Sequence, residues 1–395
     1  ERRLPDMDAR LEAAFAASIE AWWGLGRDMA GDPTAAFAHT PAAAAFESDF
    51  GVMLAWTRLA AEIAAGDKVH LAVCDDPWLF RHIAALPGIK AGRPPALWPR
   101  ALFLFARGFL ARAAVAVRML MAALRLRRQR PHVRAGAPAI LVYGHPYSTA
   151  DGHDGYFGPL LARHPALVRL LHTDCPAGRA LALGADGRSA GLHAWGNPFF
   201  AVALMFTAWR PSRRLRAGPQ GWLVRRAAAR ENGGGGPAMT RWQVHCQTRW
   251  LAQARPARVL WPWENMPWER DLVRRARALG IPTVGYLHTP FGPHHILISA
   301  HANADGAASL PDAIVCTGAA PRDALIAFGH ERERLIVGGS LRAVVFQPLR
   351  RDARGPVFFG LPNIAPIARE MVAAAEALAA KGWPVQVRRH PMMPP

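Results

Sequence analysis

Three observations predict an α/β fold built on parallel sheets. From residue 257 onward, short apolar runs alternate with helix-length segments, the rhythm of βαβ units. The apolar runs end in polar groups, among them Glu264, His288, Thr317, Ser340 and His390. The chain has 395 residues and is 51% hydrophobic, enough for two ordinary domains with sizeable cores.

The elements follow in chain order. Residues 1–65 read as Ala-rich helices broken near Gly31-Asp32-Pro33. "KVHLAVCD" (68–75) is an apolar run ending in acid, expected as a strand. A Pro-rich stretch leads to 100–130, expected as one long helix. At roughly 100° per residue, Arg100, Arg107, Arg118 and Arg125 fall on one stripe, Arg112 lies off it, and the remainder is apolar. Its uncharged stretches fall well short of the ~20 residues needed to span a bilayer. A basic amphipathic helix lying on a membrane surface is therefore expected. The competing expectation is a core helix whose arginines reach out to water.

Strands are expected at 138–148 and 166–176, with 151–165 a loop entering a helix. Residues 197–209 are apolar and aromatic and are expected in the core, and 231–237 ("ENGGGGP") is expected to be a mobile loop before a helix at 238–254. Strands at 257–264, 281–289, 312–318 and 334–342 alternate with helices at 267–279 and 321–329. After a charged linker, a strand, a helix at 363–381 and a final strand "PVQVRRHP" follow. The predicted organisation is a helical segment 1–65, a Rossmann-like domain 66–345, a linker 346–356 and the start of a second domain at 357–395. The start at Glu1 and the stop at Pro395 read as a fragment open at both ends, with no signal peptide at this start.

The net charge is +19, and almost all of it is arginine. No Asp or Glu occurs from Pro77 to Ala150. A one-signed region of that length favours an anionic partner: a membrane surface, a nucleic acid or a phosphorylated ligand. Nucleic acid is the weakest of the three, because the arginines are not interleaved with aromatics as in an RNA-binding motif. The four cysteines form no CxxC pair, which argues for buried thiols over a zinc site or disulfides. His288, His294 and His295 lack a zinc spacing, so no metal and no cofactor are expected.

In open parallel sheets, ligands bind outside the carboxyl ends of the strands. The candidate groups there are His145 and Tyr147, Glu264, His288, Thr317 and Gly318, Ser340 and Arg342, then His390 and Pro391. The two glutamates of "WPWENMPWE" separate by position. Pro267 suits a first helical residue, which puts Glu269 in the first turn, where a carboxylate meets free N–H groups. Glu264 ends a strand ahead of that helix and is the candidate general acid or base. Arg342, after Gly338-Gly339-Ser340, is placed to grip a phosphate or carboxylate. No GxxxxGK[ST], GxGxxG, GxSxG or HExxH motif is present.

The series "WENMPWERDL", "GIPTVGYLHTPF", "PDAIVCTGAAPRDALIAFGH" and "LIVGGSLR" resembles bacterial surface-carbohydrate biosynthesis proteins of the GT-B glycosyltransferase type. "DGYFGPL" (154–160) resembles an N-terminal motif of such proteins and adds Asp154 and Tyr156 to the acceptor side with His145 and Tyr147. Trp263 stands where a tyrosine is expected. The terminal "VQVRRHP" resembles the His-Pro motif of transferases that use cytidylate donors, which implies donor contacts from His390 and Pro391. The resemblance implies two Rossmann-like domains, the second truncated here, so that the fragment alone would be inactive. It implies a nucleotide-sugar donor, CMP-linked by the His-Pro resemblance, held also by Thr317, Gly318, Ser340 and Arg342. Glu264 and His288 would be the catalytic pair, and the acceptor a lipid-linked or surface glycan of lipopolysaccharide, O-antigen or capsule. The expected location is cytoplasmic, peripheral on the inner face of the bacterial inner membrane. Alternatives are a same-fold sugar-nucleotide epimerase or glycerophosphate transferase, or a non-catalytic basic protein that binds membranes or nucleic acid.

Overall fold

The computed structural model describes residues 4–42, 49–289, 291–342, 355–362 and 364–390. The chain divides into two compact units, Glu1–Arg342 and Ala343–Pro395. In the first unit, seven strands form one parallel sheet: β1 (Ala139–Val142), β2 (Val168–Leu171), β3 (Ser189–Gly191), β4 (Val259–Pro262), β5 (Thr283–Leu287), β6 (Ala313–Cys316) and β7 (Leu335–Val337). Their order is β3-β2-β1-β4-β5-β6-β7, a Rossmann-like arrangement in which the chain first builds outward to one side of β1 and then to the other. β1 and β2 are buried along their whole length, as strands covered on both faces must be.

The expected N-terminal helices are α1 (Met7–Ala16), α2 (Ile19–Gly31) and α3 (Phe50–Ala64), with the break after Gly31. They do not stand apart as a segment. The Trp23 indole donates to the Ile296 carbonyl at 2.9 Å, and Arg27 donates to the His301 carbonyl at 2.7 Å.

Residues 68–75 are not a strand. The run is unpaired and Val69, Leu71 and Val73 are almost fully exposed. An apolar run becomes a strand only where a sheet edge takes it, and this one leads instead to a helix cap. Asp76 accepts from the Trp78 and Leu79 N–H groups at 3.0 and 3.1 Å to start α4 (Pro77–Ile83).

The long helix is α5 (Trp98–Leu126). Leu104, Gly108, Arg112, Val115, Met119 and Leu126 lie on its buried side. Arg112, off the arginine stripe by its angle, donates to the Met205 carbonyl at 3.2 Å and the Asn232 carbonyl at 2.8 Å. Both guanidinium contacts offset part of the cost of burying a cation, and burial still lowers the Arg112 pKa.

After α6 (Leu160–Arg163) and α7 (Ala177–Leu183) comes α8 (Pro198–Ala203). The expectation that 197–209 is core is corrected here. Phe199 and Phe206 are 86% and 73% exposed, although Leu204 and Trp209 are buried. Then follow α9 (Arg213–Ala217), α10 (Gly221–Glu231) and α11 (Gly236–Ala254). The glycine run between α10 and α11 is packed, contrary to the mobile loop expected. Asn232 is buried and exchanges hydrogen bonds of 3.0 and 2.7 Å with the Trp209 backbone. A Cβ on Gly235 would stand 2.7 Å from Val115 of α5. The glycines permit close backbone approach, which their composition alone does not distinguish from flexibility. α12 (Pro267–Ala278) and α13 (Ala319–Ala327) complete the βαβ series.

The second unit holds one βαβ element: β8 (Val357–Gly360), α14 (Ala365–Ala380) and β9 (Val385–Arg388), with the strands parallel. His390 follows β9, and Pro391 lies outside the described residues. The linker expected at 346–356 falls almost entirely outside them too.

A Cβ on Gly108 would lie 1.6 Å from the Asn232 carbonyl oxygen, whereas one on exposed Gly178 in α7 meets nothing within 4 Å. Gly108→Ala is therefore expected to destabilise by about 1–3 kcal/mol through overpacking. Gly178→Ala is expected to stabilise by about 0.5–1 kcal/mol through helix propensity. Denaturant melts of the two variants check the opposite signs.

Candidate functional site

The order of the sheet reverses between β1 and β4, which pair directly at Ala139–Val259 and Ile140–Leu260. Crossovers leave these two strands in opposite directions, so a crevice opens beyond their carboxyl ends. Into it come Tyr143 and His145 after β1, Glu264 after β4 and His288 after β5.

The turn after β4 shows how the pieces are held. Asn265 adopts a left-handed conformation with φ 59°, a region Asn tolerates better than most residues. Its buried side chain donates to the Leu297 carbonyl and to Asn303 Oδ1, each at 2.8 Å. Glu269 is 1% exposed. Its carboxyl accepts from the Glu264 N–H at 3.0 Å and the Asn265 N–H at 2.9 Å. It thus reaches back past the helix start, a variant of the capping box. The assignment of Glu269 to structure and Glu264 to the crevice matches this geometry. Glu269 is far more buried than an ordinary first-turn acid, however. Burial, reinforced by the neighbouring Glu264 charge, raises its pKa to about 8.

Glu264 presents its carboxylate 4.0 Å from His288 Nε2, with side chains 35% and 8% exposed respectively. A hydroxyl oxygen about 2.8 Å from each would close a triangle on that side. Burial, then the Arg342 and His145 charges, lower the His288 pKa to about 4. His288 therefore faces Glu264 as a neutral imidazole at neutral pH, and the two do not form an ion pair.

Tyr156 forms the opposite wall. Its ring meets His288 edge-on at 5.0 Å and His145 at 5.2 Å between centroids. Desolvation and the Glu264 charge raise its pKa to about 12, which keeps the phenol protonated. Arg342 lies over the same ring, 5.5 Å from its centre. It is seated from both sides of its loop. The Leu341 N–H donates to the Tyr286 hydroxyl at 2.9 Å. A Cβ on Gly158, at φ 55°, would come within 2.2 Å of the Leu341 carbonyl oxygen. Two glycines of "DGYFGPL" are thereby explained: Gly158 admits the arginine loop, and Gly155 admits His145, which a Cβ would approach to 2.3 Å.

Asp154 does not face the crevice, correcting its acceptor assignment. It is fully buried, accepts from Ser148 Oγ at 3.1 Å and from the Tyr156 and Phe157 N–H groups at 2.9 and 3.2 Å, and lies 3.7 Å from Arg169. It shapes the loop that presents Tyr156. Tyr147 is 59% exposed beside His145, at 5.3 Å between ring centroids. Thr317 and Gly318 follow β6, two strand positions from β4, or roughly 10 Å by ordinary strand spacing. Ser340 sits in the Arg342 loop. His390 belongs to the separate second unit.

Three further residues join the site that strand ends alone did not single out. Tyr143 packs 4.7 Å from His172, and His172 packs 4.9 Å from Trp268. His172 Nδ1 pairs with Asp174 at 3.0 Å. Tyr143 lies one residue beyond the buried part of β1, and His172 holds the same place after β2, so their shared register was the available signal. Behind them a cavity of about 670 Å³ lies between the loop 173–177 and α5, lined mostly by apolar side chains with Arg118 and Arg125 among them. Among the described residues, no group of three His, Cys, Asp or Glu side chains is placed to hold a metal ion.

Folded Glu269 keeps its proton to about pH 8, whereas its ordinary pKa is 4.5. The unfolded state binds fewer protons across that window, so the contribution of Glu269 to stability falls as pH rises through it. Glu269→Gln lacks this loss. Its melting temperature relative to wild type is expected to climb between pH 5 and pH 8, and a pH-independent difference would show that Glu269 is ionised throughout. No protein-family model, curated protein or solved structure matches the chain.

Proposed function

We propose that the protein is a glycosyltransferase that moves a sugar from a nucleotide-sugar donor, CMP-linked by the His-Pro resemblance, to a lipid-linked or surface glycan of the bacterial envelope. The observation that carries this reading is the convergence of Glu264, neutral His288, Tyr156 and Arg342 at the reversal of the sheet. Glu264 takes the proton of an acceptor hydroxyl while His288, on the same side, orients that hydroxyl. The acceptor oxygen attacks the anomeric carbon, and the bond from that carbon to the nucleotide phosphate oxygen breaks. The leaving phosphate departs with the electron pair, and Arg342 is the cation placed to meet it. Ser340, Thr317 and Gly318 are assigned to the donor, and His145 and Tyr147 to the acceptor. Donor roles for His390 and Pro391 rest on the sequence resemblance. The apolar cavity beside His172–Asp174 supports an acceptor with a lipid part.

The same carboxylate–imidazole pair would also serve an epimerase, which product analysis separates. The protein is assayed for nucleotide release and glycan product with CMP-, UDP- and GDP-linked sugars. Transfer is expected with one donor class. Glu264→Gln is expected to lower kcat by roughly 10²–10⁴-fold with an unchanged melting temperature, because its side chain is partly exposed at the crevice. Loss of stability in step with activity would make Glu264 structural. Epimerised nucleotide sugar without transfer would select the epimerase. With its pKa near 4, His288 is neutral across the working range, so His288→Gln is expected to lower kcat without removing a step from the profile between about pH 5 and pH 8.

A further inference from the structure

The solvent side of α5 carries an apolar surface that the crevice does not use. At roughly 100° per residue, α5 divides into three sectors. One is buried against the unit. A narrow second sector holds Arg100, Arg107, Arg118 and Arg125. The third, an arc of roughly 100°, presents Leu102, Leu110, Val117 and Met121, which are 60%, 70%, 61% and 60% exposed. The surface continues beyond the helix. Phe109 packs 6.2 Å from Phe206, and Phe206 and Phe199 stand 73% and 86% exposed. Large apolar side chains therefore cover two adjacent helical elements, with arginines along one border and no acid anywhere from 77 to 150.

We propose that this face lies on an anionic lipid bilayer, with the apolar arc immersed at the headgroup boundary and the arginine stripe on lipid phosphates. The pattern separates apolar and cationic side chains into parallel bands, as an interfacial helix requires. The uniform sign selects this occupant over a second copy of the chain. Pairing two such faces would bury the arcs but set two arginine borders against each other, and α5 itself carries no acid to neutralise them. Among the described residues, no helix is long and apolar enough to cross a membrane, so the contact lies along the surface. Met121, Leu124, Arg118 and Arg125 also line the cavity that reaches Thr173 and Asp174. The inference stands on exposed side chains and does not depend on sugar transfer.

The test is co-sedimentation with vesicles of phosphatidylcholine alone and of phosphatidylcholine mixed with phosphatidylglycerol. Binding is expected only with the anionic mixture and is expected to weaken as salt rises. The double variant Leu110→Glu/Val117→Glu should bind at least ~10-fold less while keeping wild-type circular dichroism and melting. Arg100→Gln/Arg125→Gln should weaken anionic binding and reduce its salt dependence, and it decides the matter alone if the glutamate variant does not fold. Equal binding to neutral vesicles, no binding to either, or unchanged binding by the variants would overturn the proposal. A dimer in sedimentation velocity that the glutamate variant splits, without vesicle binding, would assign the face to a second copy.

Discussion

The reversal of strand order between β1 and β4 is the constraint on which the rest of the unit depends. In a parallel sheet each crossover carries the chain to one side or the other. Where neighbouring strands send their crossovers opposite ways, nothing covers the space beyond their ends. Here that space receives Tyr143 and His145 from one strand end and Glu264 from the other, with His288 one strand further along. The groups are far apart in the chain, and only the topology brings them within a few ångströms.

A crevice of polar groups needs rigid loops, and this one is stiffened by buried polar residues beneath it. Glu269 holds the turn that aims Glu264 by accepting two backbone N–H groups. Asp154 does the same for the loop that aims Tyr156. Arg169, fully buried in β2, donates to Ser189 Oγ at 2.8 Å and to the Thr149 carbonyl at 2.9 Å. Removing any of these would leave a buried partner unsatisfied, which costs more than the bond itself contributes. The side chains that line the crevice keep the opposite character. Glu264 is a third exposed, and a neutral imidazole and a protonated phenol surround it.

Much of this was legible in the chain. From residue 257 the strands and helices fall where the alternation predicts, because buried parallel strands and amphipathic helices leave distinct periods. The division between Glu264 and Glu269 was also legible, since Pro267 marks where the helix begins. Strand order was not, because no local pattern says which strands become neighbours. For the same reason "KVHLAVCD" looks like a strand yet finds no edge, and Phe199 looks like core yet faces outward. β3 is Ser-Ala-Gly and carries no strand signal at all. Asp154 was placed by motif, and its side chain turned inward for reasons visible only in its hydrogen bonds.

Ligand occupancy of the β1–β4 crevice is tested most directly by hydrogen–deuterium exchange of the protein with CMP-, UDP- and GDP-linked sugars. Added donor and acceptor glycan are predicted to slow exchange in the peptides that carry Tyr143–Ser148, Asp154–Phe157, Trp263–Asn265 and Leu287–Thr289. Protection confined to other parts of the chain, with these four segments unchanged at saturating ligand, would contradict the account.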